Sequence, residues 1–216
     1  MKIITFSANK GGTGKSQLTK NTAFALSKTG LNIAIIDMDN QHNLTDGYSD
    51  DDPFDLVELP KTLESLKQFK KNADQEYDFC IIDTPPNLGV ETVATYIISD
   101  YIIIPTLLAL NSILGVQRTL ETINDTKKYN PHLRVLGILV NNYDRRDKST
   151  DTAMNSLKNS FGEDLFKSII KVSSNIKNAD DNKMTVQKYE TGFWSKKSTQ
   201  DFDNLAKEIL SKIKKM

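Results

Sequence analysis

Lys10-Gly11-Gly12-Thr13-Gly14-Lys15-Ser16 decides how the rest of this chain is read. Before it stands a short apolar run, Ile3-Ile4-Thr5-Phe6, with the character of a buried strand. After it, Leu18, Thr22, Ala25 and Leu26 recur at helical spacing. Strand, glycine-rich loop and helix in that order form the setting of a phosphate-binding loop. The general pattern G-x-x-x-x-G-K-[ST] is not met, because Asn9 stands where its first glycine would fall. The physics survives this change. Gly11, Gly12 and Gly14 lack a Cβ, so the backbone can turn its N–H groups inward on an anion. The helix that follows adds its positive end, with Thr13 and Gln17 flanking the cradle. Lys15 would neutralise the β and γ phosphates, and the Ser16 hydroxyl would ligate Mg²⁺. The plainer alternative is a glycine-rich turn that carries two lysines.

Working outward, Leu31–Ile36 reads as a second strand ending in Asp37-Met38-Asp39, and Phe79–Ile82 as a third ending in Asp83. Carboxylates at the carboxyl ends of parallel strands stand beside the ligand crevice of such sheets. Asp83 is placed to hold Mg²⁺ through a water. Tyr101–Ile104, Val135–Val140 and Leu165–Ile170 read as further strands. Helices are expected near Leu63–Asn72, Val90–Ile98, Val116–Thr126, Ala153–Phe161 and from Thr199 to the end, with a long acidic loop over Asn40–Pro60. Short, continuously apolar strands alternating with helices predict one doubly wound α/β domain over residues 1–216, with a mostly parallel sheet. Asn141 follows GILV, where a side-chain amide can pair with the donor and acceptor edge of adenine. The N-K-x-D pattern of guanine readers is absent, because Tyr143 follows Asn141-Asn142. ATP is therefore the expected nucleotide.

Composition bounds the function. The chain has 216 residues, 38% of them hydrophobic and 26% charged, with a formal net charge of zero, as in ordinary globular proteins. No apolar run nears the ~20 residues of a membrane span. A lone cysteine, Cys80, excludes an internal disulfide and a C-x-x-C metal site. The neutral total hides an asymmetry. From Asp37 to Glu58 there are eight acids and no Lys or Arg, whereas from Lys167 onward eleven lysines face six acids. Such a segment can form a basic face or simply a solvated surface. His42 and His132 lack partners at ligand spacing. Trp194, beside Phe193 and near Lys196 and Lys197, suits core packing better than base stacking.

With Lys10 at its front, the loop resembles the deviant Walker A of the ParA/MinD family of ATPases. Thr13 fits the variable position, and Gln17 replaces a frequent second threonine. YDFCIIDTPPNLG resembles the family's second signature, with Thr84-Pro85-Pro86 as its γ-phosphate-sensing switch. IIDMDNQHNLT resembles the D-x-D-P-Q-x-N-x-T segment, Asn40 replacing the proline. GILVNNYDRR resembles the region near the base, Asn141 replacing a threonine. The resemblance implies ATP and Mg²⁺ as ligands. It implies Asp39 orienting the attacking water, Asp37 near the Mg²⁺ shell, and Lys10 reaching across an ATP-dependent homodimer. It also implies non-specific binding of double-stranded DNA and a centromere-bound, ParB-like activator. With the first strand starting at Lys2, the expectation is the small ParA type, cytoplasmic and nucleoid-associated. Lys171, Lys177, Lys196 and Lys197 are the leading DNA-contact candidates, with Lys183, Lys188, Arg145 and Arg146 behind them.

A second reading is a MinD-like ATPase that cycles on membranes. Phe202, Leu205, Ile209, Leu210 and Ile213 lie on one helical face, followed by Lys214 and Lys215. The same positions suit a helix packed on the sheet, and Asp201, Asp203 and Glu208 weaken attraction to anionic lipid, so no membrane partner is expected. A relative that moves another cargo over the nucleoid would use the same chemistry. Iron–sulfur relatives need cysteines this chain lacks.

Overall fold

Parallel strands buried on both faces must be apolar throughout, and this chain builds its sheet that way. The computed structural model of the protein describes residues 1–41, 44–109, 111–147, 149–192 and 196–216. Its strands are β1 (Lys2–Phe6), β2 (Ile33–Asp37), β3 (Asp55–Leu56), β4 (Phe79–Asp83), β5 (Tyr101–Thr106) and β6 (Arg134–Val140). They pair in the order β3-β2-β4-β1-β5-β6, every pair parallel. The helices are α1 (Lys15–Ser27), α2 (Leu63–Asn72), α3 (Val90–Ile98), α4 (Ser112–Thr126), α5 (Ser149–Phe161), α6 (Ser174–Asp181), α7 (Val186–Tyr189) and α8 (Lys197–Lys215).

Alternation along each strand sorts the side chains into two cores. Ile4, Phe6, Ile33, Ile35, Ile81 and Ile103 meet Leu18 and Leu26 of α1 and Phe202, Leu205 and Ile209 of α8. On the other face, Ile3, Ile36 and Ile82 pack on Leu66 of α2 and Ile98 of α3, and Ile102 and Ile104 on Val116 and Ile123 of α4. Cys80 is wholly inside the second core, and burial pushes its thiol pKa up. The chain leaves β1 toward β2 and later crosses from β4 over β1 to β5. The connections therefore diverge around β1, and the crevice at that switch point opens at the carboxyl ends of β1, β2 and β4.

Two expectations are corrected, and one stretch without an expectation proves to be helical. Leu165–Ile170 is not a strand: it runs beside β6 through isolated bridges, Ile138 to Leu165 and Tyr143 to Lys171. Its apolar residues, Phe166 and Ile170, serve the core without a ladder. The Asn40–Pro60 loop contains the two-residue edge strand β3, pairing Asp55 with Ala34 and Leu56 with Ile35. The stretch after Lys171 folds into α6 and α7, capped by the Ser173 and Thr185 hydroxyls. The doubly wound parallel sheet is as expected, and all its strand pairs are parallel. The apolar face of α8 is committed to the core, since Phe202, Leu205, Ala206 and Ile209 are at most 1% exposed. That occupies the surface a membrane-bound α8 would need. Among the described residues no helix is long and apolar enough to cross a membrane.

Candidate functional site

The glycine-rich loop spans the gap between the end of β1 and the start of α1. Gly12 (φ 74°) and Gly14 (φ 82°) are left-handed, a conformation that favours glycine. Gly14 precedes α1 with no side-chain cap, and no acid stands in the first turn. The first N–H groups of α1 are thus left for an anion. The loop is held from below. Asn141, fully buried at the end of β6, donates from Nδ2 to the Thr13 carbonyl at 2.9 Å, and its Oδ1 accepts from the Asn142 N–H at 2.9 Å. A Cβ on Gly14 would lie 2.3 Å from that same Nδ2, so Gly14 answers to close approach as well as to φ. From the far side, Pro86 lies 3.7 Å from where a Gly11 Cβ would stand. The Thr84 hydroxyl donates to the Phe6 carbonyl at 2.9 Å, tying the exits of β1 and β4 together.

The two lysines of the loop have opposite surroundings. Lys10 is exposed, whereas Lys15 is 7% exposed. Burial lowers the pKa of Lys15, and the facing carboxylates of Asp83 and Asp39 act against that. Asp83 is fully buried, and neither of its oxygens has a hydrogen-bond partner among the described residues. Desolvation, with help from Asp37 and Asp39, pushes its pKa up to about 7, although the Ser16 hydroxyl and Lys15 lie close enough to pull it back. An unpartnered buried carboxylate beside a serine hydroxyl fits a divalent cation, which would supply the missing charge. No group of three or more His, Cys, Asp or Glu stands together for a metal among the described residues. Ser16 and Asp83, with ligand and water oxygens, would hold the ion. Asp37 is already engaged: its Oδ1 accepts from the Asp39 N–H at 2.9 Å, and its Oδ2 from the Thr45 N–H and hydroxyl, each at 3.1 Å. Asp39 Oδ1 accepts from the Gln41 N–H at 3.1 Å.

Gly11, Gly12, Lys15, Ser16 and Asp39 share one pocket of 470 Å³. A cleft of 1090 Å³ adjoins it through Gly14, Gln17 and Asp180, walled by Asn142, Tyr143, Lys171 and Lys177. One compartment suits a polyphosphate with a cation, and the other a nucleoside. Lys20 of the phosphate pocket escaped sequence reading, and Lys183, read only as a DNA-contact candidate, lines the pocket as well. Lys20, nearly buried, pairs with Asp180 at 2.7 Å, and Lys183 with Asp46 at 3.7 Å. The signal for Lys20 was its place four residues after Ser16, hence on the same helical face.

The basic candidates divide. Lys171 is paired with Asp201 at 2.6 Å and Lys188 with Asp52 at 2.7 Å. Arg146 clasps Asp144 through two side-chain bonds, holding that carboxyl below its usual range. Lys177, Lys196 and Lys197 are exposed and make no ion pair among the described residues. His132 is an exposed surface residue, while His42 and the Phe193–Ser195 stretch lie outside the described residues.

A model of the CobQ/CobB/MinD/ParA nucleotide binding domain matches residues 4–186. The chain belongs to that family. The chromosome-partitioning ATPase Soj of Thermus thermophilus is 24% identical, over 99% of this chain and 97% of its own. A plasmid partition protein of Borrelia burgdorferi bound to AMPPNP superposes with a TM-score of 0.79 at 21% identity, covering 98% of this chain and 99% of that one. Cobyrinic acid a,c-diamide synthase of Mycobacterium smegmatis, with a bound ATP analogue and magnesium, gives 0.80 at 20%, covering 99% and 96%. Those two structures share the fold with this chain. The phosphate loop and the strand-end acids lie inside the matched segment.

Proposed function

We propose that this protein is a ParA-type ATPase. It hydrolyses ATP with Mg²⁺, closes as a homodimer while ATP is bound, and holds DNA without sequence preference. It segregates a plasmid or chromosome with a centromere-bound, ParB-like activator. The observation that carries this reading is the opposite placement of the two loop lysines. Lys15 is buried against Asp83 and Asp39, inside the site. Lys10 is exposed and makes no ion pair among the described residues, as a residue meant for another subunit's phosphates would be.

Bound Mg²⁺ would neutralise charge across the β and γ oxygens. The chain's residues then divide the work. The Gly11–Gly14 backbone and Lys15 hold the phosphates, and Ser16 and Asp83 hold the ion. Asp39, its Oδ1 engaged by Gln41, would use its remaining oxygen to orient the water. Positioning, rather than strong basicity, carries such a transfer. Both polar atoms of Asn141 bind protein, so base recognition falls to Asn142 and the cleft beyond it. Lys177, Lys196 and Lys197, free of ion pairs among the described residues, are better DNA contacts than Lys171.

The test is binding to a random-sequence duplex with ATP, with ADP and without nucleotide, across a salt titration. Binding with ATP alone, falling steeply with salt, is expected. No DNA binding in any state, with ATP still bound, would refute the partition reading and favour cargo of another kind.

A further inference from the structure

We propose that Lys61 is a positioning residue for Asp39. The inference rests on the reading of Asp39 as the group that orients water. Asp39 follows the end of β2 by two residues and lies outside any helix or strand. Its N–H is held by Asp37 Oδ1 and its Oδ1 by the Gln41 N–H. The remaining backbone group, the Asp39 carbonyl, accepts from the Lys61 ammonium, 22 residues on. Together these contacts fix both main-chain groups and one carboxylate oxygen of a residue that lines the phosphate pocket.

Lys61 is well mounted for this role. Pro60 precedes it with a fixed φ, and the Thr62 hydroxyl caps α2 immediately after it. The Thr62 N–H closes a turn on the Pro60 carbonyl at 2.7 Å. The Lys61 ammonium makes no ion pair among the described residues, so its charge is not claimed by a carboxylate there. Nor does it line the phosphate pocket. It borders a separate 400 Å³ pocket with Asp37, Thr45 and Glu58, so it reaches Asp39 from behind and is not a phosphate ligand. A charge-assisted bond to a carbonyl is stronger than a neutral one, which suits a strut. The need for a strut lies in the next residue. Asn40 leaves the Asp39 backbone free to turn, whereas a proline there would confine it to extended conformations.

The experiment compares Lys61→Met, Lys61→Arg, Lys61→Met with Asn40→Pro, and Asp39→Ala. Steady-state ATP turnover, affinity for a non-hydrolysable ATP analogue, and hydrogen exchange over residues 38–45 are read for each. Lys61→Met keeps the apolar stem and should lower kcat at least about tenfold, with analogue affinity within about twofold. Exchange at Gln41 should quicken. Lys61→Arg should keep most of the turnover, because it restores a cationic donor. Adding Asn40→Pro to Lys61→Met should recover turnover without restoring the bond. A purely structural lysine would lower analogue affinity along with kcat and would not be rescued by proline. Normal turnover and exchange in Lys61→Met, with Asp39→Ala inactive, would overturn the proposal alone. Normal turnover in Asp39→Ala would overturn the reading of Asp39, and the proposal with it.

Discussion

Replacing Asn141 separates two roles that sequence alone leaves merged, a reader of the base and a clamp on the phosphate loop. In the structure its Nδ2 donates to the Thr13 carbonyl at 2.9 Å, with Thr13 only 3% exposed. Asn141→Ala leaves that buried carbonyl without a donor, at a cost of about 1–3 kcal/mol. In a chain of 216 residues each kcal/mol lowers Tm by about 2–4 °C, so a fall of about 2–12 °C is expected. If the loss falls on the loop's ligand-ready shape, affinity drops about 5- to 150-fold. Asn141→Asp should be worse, because it sets a carboxylate against the carbonyl and adds negative charge beneath the anion cradle. The assay is calorimetric titration with ATP, GTP and inorganic tripolyphosphate, alongside thermal unfolding. A clamp weakens all three ligands alike. Weakened ATP with unchanged tripolyphosphate would refute the clamp and return Asn141 to the base. A milder effect from Asp than from Ala would refute the donor argument.

Lys10→Ala should keep nucleotide affinity within a few-fold and lose the ATP-dependent dimer in sedimentation velocity; a normal dimer would make Lys10 structural. Glu190 is buried, which raises its pKa, but bonds from Asn175 and from the Thr199 and Ser198 N–H groups at the start of α8 outweigh that, and the net shift is downward. A lowered folded pKa gives stability that is complete above the unfolded value and fades as pH falls through the folded one. Glu190→Gln should therefore lower Tm at neutral pH, with the gap to wild type closing below about pH 4.5; a pH-independent gap would exclude the charge. Deleting residues 199–216 removes Phe202, Leu205 and Ile209 from the core, about 5–9 kcal/mol at ~1.5–3 each, comparable with a whole domain's stability. The product should show no cooperative unfolding, and a folded product that had lost liposome binding would revive the membrane reading.

The sequence exposes what is local and hides what is held from a distance. β1, β2, β4 and β5 were legible because a sheet covered on both faces demands unbroken apolar runs. The loop was legible because backbone turned in on an anion needs glycine, and Asp37, Asp39 and Asp83 because strand ends open on the crevice. β3 carries no such signal. Asp55-Leu56 is a strand only because β2 lies beside it. α6 and α7 are short and owe their place to tertiary contacts. Asn21, buried in α1, accepts from the Val186 N–H at 2.7 Å, and its carbonyl accepts from Gln187 at 2.9 Å. Leu165–Ile170 shows the converse error, since an apolar run says that a segment is buried and not that it forms a continuous ladder. The Lys61 contact to Asp39 is invisible for the same reason, being a bond between loops that only the folded sheet brings together.

The charges of the site argue for one more dependence. Lys15, Lys20 and Lys183 face Asp39, Asp46 and Asp180 around the phosphate pocket, with Asp83 and Asp37 behind them. Two of those lysines are already paired with aspartates. A triphosphate entering this pocket meets little uncompensated positive charge beyond Lys15 and the backbone N–H groups. Its negative charge and that of Asp83 must both be answered, and a divalent cation between them does so at once. Binding should therefore depend on magnesium, and more steeply for ATP than for ADP, whose shorter chain carries less charge. With excess chelator, ATP affinity should fall by well over about tenfold, the equivalent of one lost charge-assisted contact. Asp83→Asn removes the carboxylate that repels bare phosphate and so should narrow the gap between the two conditions. Equal ATP affinity with and without magnesium in the wild type would refute this account of Asp83. It would mean that the buried carboxylate is held neutral by its surroundings rather than kept for a cation.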